Sequence, residues 1–151
     1  MFSDGVSIVT TTWKESENIL KLIPIIRDVL RDIRHEIIVV DDSSPDGTFQ
    51  VAERLADRAV KKNREGQSRG LLYGMKLAKY QIIVTVDADL ENDPKHIPLL
   101  VEKMEEFDLV VASRTELPRI SEKIASKTLR RMIGVKDVLA LREAEKKRLK
   151  I

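Results

Sequence analysis

Cysteine is absent from this chain of 151 residues, and histidine occurs only twice, as His35 and His96. The lack of cysteine excludes disulfides, thiolate metal sites and cysteine nucleophiles, and it fits a reducing compartment. No apolar stretch approaches the roughly 20 residues that a membrane-spanning helix needs. The N-terminal residues Met1 to Asp4 lack the basic and long apolar regions of a signal peptide. We therefore expect a cytoplasmic protein without a histidine-rich metal site.

A large excess of charge of one sign is also missing. The chain has 27 basic and 25 acidic residues, a net charge of +2, which does not favour a nucleic-acid partner. Hydrophobic residues make up 42% of the chain, and the length suits one domain with a full core. The charged fraction of 34% with only 4% aromatic residues leans towards the composition of thermophile proteins.

Short β-branched runs alternate with helical segments along most of the chain. We predict strands at 6–10, 36–40, 82–86 and 109–111, with a weaker strand at 58–61. We predict helices at 17–33, 46–56, 70–80 and 94–107, with Ser44-Pro45 and Asp93-Pro94 marking the starts of the second and fourth. The strands are continuously apolar, which is typical of strands buried on both faces of a parallel sheet. The fold class is therefore α/β, a doubly wound and mostly parallel sheet flanked by helices.

The chain after residue 117 forms a charged tail, which we predict to be helical and part of the same domain. At helical spacing, four basic residues share one narrow arc opposite an apolar stripe; they are Arg119, Lys123, Lys127 and Arg130. The arc is either a solvated face over a packed one or a surface for anionic lipid head groups or a lipid-linked phosphate. The segment 135–151 is predicted to be helical as well, and its thin apolar stripe suits packing on the domain or on a second subunit.

Asp87 and Asp89 stand two residues apart at the end of the predicted strand 82–86. Alternate residues of a strand point the same way, so the two carboxylates should lie together at the carboxyl end, where open α/β sheets bind their ligands. Like charges at such a distance need a cation or a proton between them. A divalent ion carrying a diphosphate would suit them.

Four polar loops are expected to meet at this edge of the sheet, at residues 11–15, 41–48, 87–91 and 113–115. Singly, each has a simpler explanation: Glu15 could complete a capping box begun by Thr12, and Arg114 could pair with Glu116 on the surface. Their convergence is what indicates a binding site.

Three segments of these loops resemble a known family. They are Glu15-Ser16-Glu17-Asn18 after the first strand, Val40-Asp41-Asp42-Ser43-Ser44-Pro45-Asp46-Gly47-Thr48, and Val86-Asp87-Ala88-Asp89-Leu90. The glycines from Gly66 to Gly74 and the pair Ser113-Arg114 fit the same pattern. The sequence resembles glycosyltransferase family 2 with its GT-A fold, and within it the polyprenyl (dolichyl) phosphate mannose or glucose synthases. The resemblance covers residues 5 to 115, so residues 1–117 would be the nucleotide-sugar-binding core.

The resemblance implies a metal-dependent, inverting transfer of mannose or glucose to a polyprenyl phosphate at the membrane surface. GDP-mannose or UDP-glucose would be the donor, and Mg²⁺ or Mn²⁺ the cofactor. The implied nucleotide-binding residues are Thr11, Trp13, Glu15, Asp41, Asp42, Asp87 and Ala88. The implied metal ligands are Asp87, Asp89 and Glu91, and the implied catalytic residues are Asp89 and Arg114, with Arg114 on a phosphate. A phosphate acceptor is already ionised at neutral pH and needs no general base.

The sequence also departs from the family pattern. Thr11 and Lys14 replace the usual Pro and Asn of the first loop, Glu91 replaces a Gln or small polar residue, and the acceptor segment after Arg114 is short. An alternative is therefore a degenerate GT-A domain that binds nucleotide or a partner protein without turnover. A third hypothesis, a phosphoacceptor signalling domain, is disfavoured because the acidic pair follows the second strand and no Lys follows the last. A homodimer or a membrane-protein partner remains open.

Overall fold

The computed structural model describes residues 5–107, 109–112 and 139–142. The strands are β1 (Val6–Thr12), β2 (His35–Asp41), β3 (Arg58–Lys61), β4 (Ile82–Thr85), β5 (Leu109–Val111) and β6 (Leu139–Arg142). The helices are α1 (Ser16–Val29), α2 (Thr48–Leu55), α3 (Gln67–Leu77) and α4 (Ile97–Lys103), the last preceded by a 3₁₀ turn at Pro94–His96.

The six strands form one sheet in the order β3-β2-β1-β4-β6-β5. The first four are parallel, and β6 runs antiparallel to both of its neighbours. The chain leaves β1 on one side to build β2 and β3, then returns to the other side to build β4. The predicted doubly wound, mostly parallel sheet is confirmed, and its switch point between β1 and β4 is where such sheets open a ligand crevice.

Both faces of the sheet are buried, as the continuous apolar runs predict. On one face, Ile8 and Ile37 pack with the inner sides of α1, α2 and α4. On the other, Val9 and Val40 pack with Met75 of α3. A β-carbon added at Gly74 would collide with Val9 and Val40, so this glycine allows α3 to lie directly on the sheet.

The helical prediction for 135–151 is wrong at β6. Leu139–Arg142 pairs with β4 on one side and β5 on the other. Without β6, the backbone edge of the buried strand Ile82–Thr85 would lack hydrogen-bond partners there. Sheet pairing therefore outweighs the local helical preference of a short charged segment.

The predicted start of α2 and the alternative capping box at α1 both differ from the structure, and α3, predicted over 70–80, begins at Gln67. α2 begins at Thr48 after Gly47, whose φ of 86° belongs to the left-handed region, so Ser44-Pro45 does not start this helix. Glu15 is the N-cap residue of α1 but makes no side-chain cap bond, and no capping box with Thr12 forms. The start at Asp93 is confirmed, because the Asp93 side chain accepts from the backbone N–H of Lys95.

Of the tail from residue 118 onward, the structure describes only residues 139–142. The basic arc of Arg119, Lys123, Lys127 and Arg130, and the predicted phosphate ligand Arg114, lie outside the described residues. Among the residues that the structure does describe, no helix combines the length and apolar character needed to cross a membrane.

Candidate functional site

A cleft of about 350 Å³ opens at the carboxyl ends of β1, β2 and β4. Seven of the predicted site residues line it: Thr11, Trp13, Glu15, Asp42, Asp87, Ala88 and Asp89. Asp41 and Glu91 are not part of its lining. The first three polar loops therefore converge as expected, and they do so at the switch point of the sheet.

Asp41 lies beneath the cleft and is fully buried. Its Oδ1 accepts hydrogen bonds from Thr12 Oγ1 at 2.8 Å and from Ser44 Oγ at 2.6 Å. Its Oδ2 accepts from the backbone N–H of Ser44 at 2.8 Å. These bonds tie the ends of β1 and β2 together, so Asp41 acts on the cleft through the loops that it fixes.

The loop after β2 accepts hydrogen bonds from the segment that leads into α1. The Ser44 hydroxyl accepts from the backbone N–H of Lys14 at 2.9 Å, and the Thr48 hydroxyl accepts from the N–H of Glu15 at 3.0 Å. Asp46 Oδ2 accepts from the N–H of Ser16 at 3.5 Å. The polar side chains of the loop before α2 thus bond to the backbone of residues 14–16, where Asp46 meets an orphan donor in the first turn of α1.

Asp46 also bonds within its own loop, where Thr48 donates to it through both its hydroxyl and its backbone N–H. Partial burial alone would raise the pKa of Asp46. The hydrogen bonds from Thr48 and Ser16 outweigh that effect, and the pKa lies below its ordinary value. The loop is therefore held by an ionised carboxylate at neutral pH.

Asp42 points from the end of β2 towards the segment between β3 and α3. Its Oδ1 accepts from Lys62 Nζ and from the backbone N–H of Glu65, and its Oδ2 accepts from the N–H of Gly66 at 2.9 Å. Burial raises the pKa of Asp42, but the bond from Lys62 and the two backbone N–H groups lower it by more, so the net pKa is below its usual value. Asp42 is an ionised anchor for this segment.

Three non-glycine residues of the described ranges adopt positive φ, and each lies in a loop at the cleft. They are Lys14 at 58°, Ser43 at 63° and Leu90 at 61°. The left-handed region costs an L-residue about 1–2 kcal/mol. Backbone strain of this kind, gathered in three loops around one cleft, is typical of a functional site.

Asp87 and Asp89 both face the cleft, although β4 ends at Thr85 and the two residues belong to the following turn. Asp87 Oδ1 accepts from Gln67 Nε2 at 2.7 Å, and Asp89 Oδ1 accepts from the backbone N–H of Glu91 at 3.0 Å. The turn after β4, rather than the strand itself, carries both residues into the lining of the cleft. They offer the oxygen ligands that Mg²⁺ or Mn²⁺ takes when a bound phosphate completes its coordination.

The predicted third metal ligand, Glu91, does not join this pair. Within the described ranges, no group of three histidine, cysteine, aspartate or glutamate side chains is close enough to hold a metal ion. A two-carboxylate site is still sufficient for an ion that arrives with a diphosphate, because magnesium commonly uses one or two carboxylates plus substrate phosphates.

The segment leading into α3 and its first turn supply a wall of the cleft, although none of its residues was among the predicted site residues. Four residues from this region line the cleft: Lys62, Gly66, Gln67 and Gly70. A β-carbon at Gly70 would lie 2.7 Å from Thr11 Cγ2, so the glycine lets the helix close against β1. The glycines at 66, 70 and 74 were the available signal, since their spacing marks one face of a helix.

Trp13 carries a stacked cation at the rim of the cleft. The Arg64 guanidinium lies 3.7 Å from the centroid of the Trp13 ring, and Lys14 Nζ lies 5.6 Å from it. Cations at these distances are attracted by the ring quadrupole. The indole thus has its position fixed by a neighbour from the β3–α3 segment.

Solved glycosyltransferases share this fold. Glucosyl-3-phosphoglycerate synthase from Mycobacterium tuberculosis, solved with Mn²⁺, UDP and glucosyl-3-phosphoglycerate, superposes with a TM-score of 0.73 at 25% identity, over 93% of this chain and 57% of that one. A mannosyltransferase from Pyrobaculum calidifontis, solved with GDP-Man and Mn²⁺, has a TM-score of 0.72 at 23% identity, over 97% of this chain and 46% of that one. These likenesses place the sheet and its helices in the GT-A fold.

Curated relatives include two transferases. The dolichol-phosphate mannosyltransferase of Pyrococcus furiosus is 35% identical over 115 residues, which are 72% of this chain and 33% of that protein. The undecaprenyl-phosphate 4-deoxy-4-formamido-L-arabinose transferase of Pseudomonas fluorescens is 33% identical over 145 residues, 86% of this chain and 43% of that protein. The chain therefore spans less than half the length of these relatives. The model of glycosyl transferase family 2 matches residues 7–143, and the chain belongs to this family.

Proposed function

We propose that this chain transfers a hexose from a nucleoside diphosphate sugar to a polyprenyl phosphate. The observation that carries the proposal is the cleft itself. Asp87 and Asp89 line it together with Trp13, Glu15 and Asp42. An aromatic and polar end suits a nucleoside, and an acidic end suits a metal-bound diphosphate. The two ends belong to one continuous cavity, as a single donor molecule requires.

A divalent ion is the proposed cofactor, with Asp87 and Asp89 as its protein ligands. The Mn²⁺ bound by the mycobacterial synthase supports this choice, and Mg²⁺ suits the same oxygen ligands. When bound, the ion would neutralise charge on the departing nucleoside diphosphate. The protein itself would hold the diphosphate beside Asp89, and Gln67 would keep Asp87 oriented through its hydrogen bond.

The nucleoside is proposed to lie between the first loop and the start of α3. Trp13 offers an apolar surface for the base, and the Glu15 carboxylate reaches the cleft from the same loop. Asn18 Nδ2 donates to Glu15 Oε2 at 2.6 Å and orients that carboxylate. Thr11 and Asp42 complete this end of the cavity, with the backbone around Ala88 leading to the diphosphate.

The acceptor is proposed to be a polyprenyl phosphate reached at the cytoplasmic membrane face. The names of both curated relatives specify a lipid-linked phosphate acceptor, which supports this assignment. A phosphate oxygen is already an anion at neutral pH, so the attack on the sugar carbon needs no general base, and inversion follows from a single displacement. Arg114 is the proposed phosphate contact, and the arc from Arg119 to Arg130 the proposed lipid-facing surface.

The experiment is a transfer assay on the purified chain with polyprenyl phosphate in detergent, Mn²⁺, and either GDP-mannose or UDP-glucose. We expect hexosyl lipid of inverted anomeric configuration with one of the donors, and no product when polyprenol replaces its phosphate. Nucleotide binding without any transfer to the lipid would contradict the proposal and favour the degenerate, binding-only domain.

A further inference from the structure

Two adjacent residues at the start of α3 bond to carboxylates on opposite sides of β1. The backbone N–H of Gly66 donates to Asp42 Oδ2 at 2.9 Å, and Gln67 Nε2 donates to Asp87 Oδ1 at 2.7 Å. Asp42 follows β2 and Asp87 follows β4, and both of these strands pair with β1. The start of α3 therefore forms a link between the proposed nucleoside end of the cleft and its proposed metal end.

The Asp42 side of this link is firmly held. The Asp42 side chain is only 10% exposed, and its Oδ1 also accepts from Lys62 Nζ and from the backbone N–H of Glu65. The Ser43 hydroxyl donates to the carbonyl of Lys62 at 2.7 Å. These bonds fasten the chain just before α3 to the loop after β2.

The side chain of Gln67 depends on this anchor for its position. Gln67 is exposed, so packing does not hold its amide in place. The amide is placed by its bond to Asp87 and by the backbone, which reaches Gln67 directly from Gly66. Gly66 has a φ of 90° and a ψ of 168°, a conformation that favours glycine, and the bond to Asp42 holds its N–H there.

We propose that Asp42 acts on the metal end of the cleft without touching the metal, through Gly66 and Gln67. Gln67 is the positioning residue in this link, because its amide orients the Asp87 carboxylate and Asp42 determines where that amide lies. This inference rests on the proposed function, since it requires Asp87 to bind a divalent ion that carries a diphosphate. Loss of a hydrogen-bond partner of a ligating carboxylate typically lowers metal affinity about 10- to 100-fold.

The test is a calorimetric titration with the Mn²⁺ complex of inorganic pyrophosphate, which has no nucleoside to contact Asp42. We expect Gln67→Ala to bind this complex at least about tenfold more weakly than the unaltered chain, and Asp42→Asn to bind it several-fold more weakly. The complex is a net anion, so removal of the negative charge of Asp42 would by itself tighten binding. A loss in Asp42→Asn therefore has the opposite sign to the direct electrostatic effect.

Double variants separate the link from a general structural effect. When the Gln67 amide is already missing, Asp42→Asn should cause little further loss. Gly66→Ala perturbs the same link without changing any charge, because the new methyl group meets no atom within 4 Å but the φ of 90° disfavours alanine. It should weaken binding as Asp42→Asn does, and again only while Gln67 is present.

Ser68→Ala is the matched control, at an exposed position next to Gln67 that does not line the cleft. It should bind the complex as the unaltered chain does. An equal loss from Asp42→Asn with and without the Gln67 amide, or no loss from Asp42→Asn and Gly66→Ala, would overturn the inference and leave the donor site intact. Failure of the unaltered chain to bind the complex would also overturn it, and the proposed function falls with it only if GDP and UDP with Mn²⁺ fail to bind as well.

Discussion

Asp41 and Asp42 are adjacent in the sequence, but their carboxylates bond to different parts of the protein. Asp41 is enclosed by Thr12 and Ser44 beneath the cleft. Asp42 lines the cleft and anchors the β3–α3 segment through Lys62. The sequence motif predicts two acidic residues at a site. Apart from Ser44, however, their partners Thr12 and Lys62 lie 29 and 20 positions away, and no local pattern specifies such contacts.

The lowered pKa of Asp42 gives a pH-dependent contribution to stability. Its folded pKa lies below the unfolded value of 3.8, so ionised Asp42 stabilises the fold above that value, and the contribution is lost as the pH falls towards the folded pKa. Asp42→Asn should therefore be less stable than the unaltered chain near neutral pH, and the gap should narrow on acidification below about pH 4. Urea unfolding at a series of pH values measures the stability difference at neutral pH and its decrease in acid.

Asp32→Asn is the control for that series, because the Asp32 side chain is 92% exposed and, among the described residues, pairs with Arg31. We expect it to differ little from the unaltered chain at any pH. A gap for Asp42→Asn that stayed constant from neutral to acid pH would show that the Asp42 bonds do not depend on its charge.

At the scale of elements, α3 determines how closely one wall of the cleft approaches the sheet. Gly74→Ala should destabilise the chain by about 1–3 kcal/mol, because the new methyl group meets Val9 and Val40 in a packed core. That cost opposes the gain of about 1 kcal/mol that alanine brings to a helix interior. Thermal or urea unfolding would measure the net change.

The matched control is Ser68→Ala, at an exposed position in the first turn of the same helix. Its expected effect lies within about 0.5 kcal/mol. A stabilised Gly74→Ala variant would mean that α3 stands further from the sheet than the structure places it.

The elements of the sheet differ in how far sequence alone predicts them. β1, β2 and β4 are recognisable because each is a continuous β-branched run that ends in a polar loop. β6 is not, because Leu139–Arg142 is short and lies in a charged stretch, and it becomes a strand by pairing with β4 and β5. The start of α2 differs from the prediction because Ser44 bonds instead to the backbone of Lys14 and Gly47 takes a left-handed conformation before Thr48.

For the molecule as a whole, the order of the strands explains where the cleft lies. Crossing from β3 back to β4 on the far side of β1 separates the adjacent loops at the switch point and opens the crevice. The sequence predicted the three acidic and aromatic loops at this point, since each follows a recognisable strand. It did not predict the wall from Lys62 to Gly70, because that wall depends on tertiary contacts with Asp42 and Thr11.

Metal-dependent nucleotide binding is the central claim for the whole molecule, and calorimetric titration of GDP with and without Mn²⁺ tests it most directly. We expect binding that weakens at least about tenfold without the metal, and a similar loss in Asp89→Ala with the metal present, because that variant lacks one of the two proposed carboxylate ligands. Asp32→Ala, an exposed aspartate distant in sequence from the cleft loops, should bind as the unaltered chain does. GDP binding that needed neither Mn²⁺ nor Asp89, or no binding of GDP or UDP at all, would contradict the account.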